Sequence, residues 1–146
     1  HFPVKEAVLA EWMHACLTGD LALLMEAMMA HGSFASRVAL LLEASARWWE
    51  EHRQYAAPYI RFCFGEIREG GSGQTSSEMI TVYAVLITQA QKAGEIRNDQ
   101  PAERLANYLH FLYLYGLLAW LEDAEVSLRD EFAHALEFFA EGAADR

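Results

Sequence analysis

The stretch YLHFLYLYGLLAWL, residues Tyr108–Leu121, decides the fold. It lies within a segment opened by Pro101 and carries no Gly-Pro or Asn-Gly break, so it reads as one helix from about Pro101 to Glu122. An ordinary surface helix has a single apolar stripe, but this run is apolar around its whole circumference. At 14 residues it falls short of the ~20 that cross a bilayer. Both of its faces must therefore be covered by protein: one by the chain's own core, the other by a partner subunit. Gly116 costs about 1 kcal/mol against Ala in a helix interior, which points to close approach of another segment there.

Outward from this run the chain reads as all-α, a bundle of about six helices. Downstream, Ser127 and Asp130 suggest a capping box, followed by a stripe of Leu128, Phe132, Ala135, Leu136 and Phe139, widened by Phe138. Two such helices per subunit, paired about a two-fold axis, would make a four-helix bundle. Upstream, Gly94 stops a helix whose inner stripe is Met79, Tyr83, Leu86, Ile87 and Ala90, and whose capping box is Thr75 to Glu78. Pro58 suits the first turn of a helix over about Ala56–Arg68. A helix over about Phe34–His52 follows the cap Ser33, and the first helix covers about Val4–Leu17. The stretch EGGSGQTSSE reads as the longest surface loop. No internal repeat, phosphate loop or strand-like alternation stands out.

Composition narrows the function. The chain has 146 residues, 53% hydrophobic, enough for a real core, and a net charge of −10. A surface of that sign repels a phosphate backbone, so these residues are not themselves a nucleic-acid reader. Mean hydropathy is +0.02, and no apolar run is long enough for a membrane partner. The only cysteines, Cys16 and Cys63, sit in separate apolar helices and read as buried free thiols in a reduced, cytoplasmic setting, with a disulfide as the alternative. No H-x-x-x-H or C-x-x-C spacing suggests a metal, and no motif asks for a cofactor. No Ser-His-Asp arrangement falls on facing helices, so no catalytic residue is expected. His110, flanked by Leu109 and Phe111, is either a core histidine or the polar anchor of a ligand cavity.

The opening residues HFPVKEAVL resemble the boundary segment of the TetR family of transcription regulators, written Y-x-H-F-x-x-K-x-x-L, with His1, Phe2, Lys5 and Leu9 or Val8 in its second half. The phrase AGEIRNDQPAERLANYLHFLYLYGLLAWL resembles that family's link between its last three helices. The resemblance implies that residues 1–8 are the end of a DNA-binding domain and its junction, and that 4–146 are a ligand-binding and dimerisation domain. A helix-turn-helix would then lie upstream and carry operator DNA. Lys5, and less directly His1, would approach a DNA phosphate, where a helix N-terminus favours an anion. A solvated surface lysine is the alternative for Lys5.

Trp, Tyr, Phe, Met and Cys project from the inner faces of several helices, and charge is nearly absent there. Plain core packing explains any one of them. In the family these helices surround the effector pocket, so the resemblance implies a pocket of Trp12, Trp48, Phe62, Cys63, Tyr83, His110 and Phe111 for a small apolar or aromatic effector. The expected homodimer interface is Tyr108, Leu112, Gly116, Trp120, Phe132, Leu136 and Phe139. The function expected is that of a ligand-responsive repressor. A helical dimerisation or adaptor protein without a ligand, and an α-helical enzyme or carrier, stay open.

Overall fold

The computed structural model describes residues 26–30, 32–68, 78–123 and 125–144. Among them are five α-helices with both ends described, the helical residues 26–29 that precede them and a short 3-10 turn, with no strand beyond an isolated bridge. The all-α expectation holds for these residues. Helix α1 spans Phe34–Glu51, α2 Ala56–Arg68, α3 Glu78–Lys92, α4 Ala102–Glu122 and α5 Leu128–Ala143, with the 3-10 turn Arg53–Tyr55 between α1 and α2. The first expected helix, the long loop and most of the Thr75–Glu78 box lie outside the described residues.

Local chemistry sets the boundaries. Ser33 is extended, and its Oγ accepts from the Ser36 amide at 3.2 Å, capping α1. A second orphan amide, that of Phe34, donates to the Glu95 carboxylate at 3.1 Å, so the turn after α3 also caps α1. That turn is a Schellman motif: Glu95 N donates to Ala90 O at 2.9 Å and Gly94 N to Gln91 O at 3.2 Å. Gly94 takes φ +80, the left-handed region that an L side chain resists. Ile96 then enters the core and bridges Ala144, while Arg97 N donates to Ala143 O at 2.8 Å. The Gly-Glu-Ile-Arg turn thus ties three helix ends together. Ser127 caps α5 by accepting from Asp130 N at 3.3 Å.

Helix α4 packs against α3 and α5, and α1 packs on α5 and α3. The last turn of α4 has its own clip. Arg53 Nη2 donates to the Trp120 carbonyl at 3.1 Å, and its guanidinium lies 4.3 Å from the centre of the Trp120 ring. A cation on orphan carbonyls at a helix C-terminus is favourable, and so is one on an indole face. Arg53→Ala is expected to cost about 1–2 kcal/mol, read as a lower urea midpoint, with Arg53→Lys recovering part of it.

Helix α4 shows how the apolar sleeve is divided. Leu105, Ala106, Leu109, His110, Tyr113, Leu114, Gly116, Leu117 and Trp120 are buried in the subunit. Tyr108, Phe111, Tyr115 and Leu118 are exposed, Tyr115 by 63%. This corrects most of the expected interface. Gly116 faces Phe132 of its own chain: a Cβ there would sit 3.1 Å from that ring. Trp120, Phe132, Leu136 and Phe139 are likewise consumed by the subunit's own core. Of the expected set only exposed Tyr108 and half-buried Leu112 remain open. Phe138, expected to widen the buried stripe, is 72% exposed instead. Two adjacent phenylalanines lie about 100° apart on a helix, so burying Phe139 turns Phe138 outward.

Candidate functional site: a buried tyrosine–histidine cluster

Five helices contribute to a cluster centred on Tyr113. Ser45 and Trp49 are one turn apart on α1, so both side chains reach the same point. Trp49 Nε1 donates to Tyr113 Oη at 2.6 Å, and Ser45 Oγ shares a 2.5 Å hydrogen bond with the same oxygen. All three residues are buried, so these bonds satisfy polar groups that would otherwise be costly to desolvate. The Tyr113 ring stacks on Phe132 of α5 with centroids 4.7 Å apart. His110, three residues earlier on the same face of α4, lies 5.7 Å from it and nearly parallel. Tyr83 of α3 is 6.4 Å from His110. Tyr59 and Cys63, one turn apart on α2, complete the group: Tyr59 lies 5.3 Å from Trp49 and hydrogen-bonds Cys63.

Burial dominates the electrostatics. It pushes the Cys63 thiol up to about 11, against the opposing hydrogen bond from Tyr59. Tyr113 is pushed up to about 12, mainly by burial, although Ser45 and Trp49 pull the other way. Tyr83 is raised well above its ordinary value by burial and by the nearby Tyr113. At neutral pH Cys63, Tyr83 and Tyr113 are therefore uncharged, and the cluster offers neither a thiolate nor a phenolate nucleophile. The Tyr83 hydroxyl is fully buried and makes no hydrogen bond among the described residues.

Of the expected pocket residues, Cys63, Tyr83 and His110 come together here. Trp48 sits at the edge, half-buried, with its ring stacked 4.1 Å from His52 and edge-on to Trp49. Phe62 is half-buried and packs on the core. Phe111 is corrected: it is 46% exposed on the opposite face of α4, beside Phe64 at 6.1 Å. Trp12, Lys5 and His1 lie outside the described residues. Tyr113, the hub, is absent from the sequence-based set, although its i+3 spacing from His110 was a readable signal. Trp49 and Tyr59 belong to the inner faces, but nothing in the sequence marks them above the other aromatics.

Among the described residues two grooves are formed on the surface. One, of about 500 Å³, runs between α4 and α5 and is bordered by Tyr108, Phe111 and Phe138 with Arg97 at one end. The other, of about 830 Å³, runs between α1 and α5. Among the described residues no three His, Cys, Asp or Glu side chains group as a metal site, and no helix is long and apolar enough to cross a membrane. No family model, no curated protein and no solved structure matches the chain.

Proposed function

We propose that this chain is the effector-binding and dimerisation part of a TetR-like, ligand-responsive transcription regulator. The observation that carries the reading is the two-sidedness of α4. Its inner face supplies His110 and Tyr113 to a buried aromatic cluster, and its outer face presents Tyr108, Phe111, Tyr115 and Leu118 to solvent. A small effector of largely apolar or aromatic character suits the inner face, because an anion there would lack a charged partner. The Tyr83 hydroxyl is the natural contact for its polar atom. A second copy suits the outer face, because an apolar patch of this extent, continued by Phe138 on α5, marks an association surface. Operator DNA would be held by an upstream helix-turn-helix, with Lys5 and His1 at the phosphate backbone, in a cytoplasmic protein.

Effector and DNA binding would be coupled only by the effector's differential affinity for the two arrangements of the dimer. The test has two parts. The chain should sediment as a dimer at tens of micromolar, and Tyr115→Glu with Leu118→Glu should give a folded monomer. In a thermal-shift screen, neutral aromatic compounds should raise Tm through preferential binding to the folded state. Tyr83→Phe should at least halve that shift while leaving the dimer intact. A wild-type monomer, or stabilisation by polycarboxylates and phosphorylated compounds alone, would sink the proposal.

A further inference from the structure

The groove between α1 and α5 differs in kind from the one between α4 and α5. Its floor is apolar and formed by the buried side chains of Leu42, Phe132 and Leu136. Its walls are low. Ala35 and Ala39 stand on the α1 side, Ala133 and Ala140 on the α5 side. Each pair repeats at helical spacing, so small side chains line both walls beyond the Arg129–Glu43 ion pair that crosses one end, and a helix about 10 Å wide can approach the floor there. Its rim is acidic, with Glu43, Asp130, Glu137 and Glu141 all exposed. Among the described residues Arg129 is the one cation in its lining, and it is held by Glu43 at 3.7 Å and Glu50 at 3.4 Å.

We infer that this trough docks a cationic amphipathic helix of a partner protein. Such a helix would lay an apolar stripe on Leu42, Phe132 and Leu136 and set Lys or Arg against the carboxylates on both sides. Charge selects this occupant over a second copy, because a copy offering the same trough would bring carboxylates onto carboxylates. The α4–α5 groove makes the contrast: among the described residues its lining holds Arg97 and no carboxylate, and it suits an uncharged aromatic contact.

The probe is a labelled synthetic helix of about 16 residues built from Ala, Leu and Lys, with Leu at i, i+3, i+4 and i+7. Its control is a scramble of the same composition. Fluorescence anisotropy with the whole chain, at about 150 mM salt where long-range attraction is screened, should show the ordered helix binding about tenfold tighter than the scramble. Ala133→Trp, which fills the trough from an exposed position, should weaken binding about tenfold. Glu137→Lys with Glu141→Lys should weaken it similarly, and both variants should keep the wild-type circular dichroism. Equal binding of the scramble would reduce the effect to net charge and overturn the inference. So would no binding, or binding that survives Ala133→Trp. Self-association abolished by Ala133→Trp would hand the trough to a second copy, and that too would overturn it. The dimer and effector tests above read other faces, so they can succeed or fail independently.

Discussion

Gly116→Arg should unfold the subunit, not merely split a dimer. The glycine Cα faces α5, where even a methyl group would come within 3.1 Å of Phe132 Cδ1 and 3.6 Å of Glu131 Cβ. Phe132 has little room to yield, because its ring also stacks on Tyr113 and the residue is 2% exposed. Overpacking of this kind costs about 1–3 kcal/mol. Forcing the long guanidinium side chain past Phe132 adds several more in lost packing and desolvation, only partly offset by the half-buried Glu131 beside it. Against a domain stability of about 5–15 kcal/mol, the sum consumes most or all of it. The paired control is Tyr115→Glu, one residue away and 63% exposed, which should weaken the dimer yet keep the wild-type helical circular dichroism. A folded Gly116→Arg monomer would show that α5 can swing away from α4, contrary to the packing described.

The helix ends were largely legible because each rests on a local device. Ser33 caps, Pro58 fits a first turn, Gly94 takes a left-handed φ and Pro101 precedes α4. The inner stripe of α3 was legible too, since Met79, Tyr83, Leu86, Ile87 and Ala90 recur at helical spacing and are all buried. The sleeve on α4 was not. Periodicity reports direction only by contrast between faces, and a helix apolar all round supplies none. Gly116 and Trp120 were therefore placed outward when they face inward, and Phe111 inward when it faces out. Tyr108, Tyr113 and Tyr115 look equivalent in sequence. Only their phase relative to Gly116, pressed on Phe132, separates the buried hub from its two exposed neighbours. The candidate site was legible as an inventory of aromatics, and its centre was not.

Alkaline pH should unfold the chain through the same cluster. Folding raises Cys63 from its ordinary 9.0 to about 11 and Tyr113 from 10.0 to about 12, and it raises Tyr83 in the same direction. Above the lower value of each pair the unfolded chain has lost a proton that the folded chain still holds. Stability then falls as pH rises, by roughly 1.4 kcal/mol per unit for each such group. The full stability is present below about pH 9, the loss begins with Cys63, and Tyr113 and Tyr83 join it from about pH 10. By about pH 12 the first two alone remove roughly 5 kcal/mol, comparable to the whole stability of a small domain. Helical circular dichroism should therefore collapse cooperatively between about pH 10 and 12, together with a late step in tyrosinate absorbance. Cys63→Ala should delay the onset by deleting the first group to discharge. Tyr83→Phe should remove its share without breaking a hydrogen bond to any described residue. Tyr113→Phe serves as a contrast: it deletes a titrating group but also deprives Trp49 Nε1 and Ser45 of their shared partner. It should therefore cost about 1–3 kcal/mol at neutral pH and yet flatten the alkaline limb. If tyrosinate from the buried pair formed while the helices stayed intact, water would have to reach the cluster in the folded state, and the burial that sets all three shifts would be wrong.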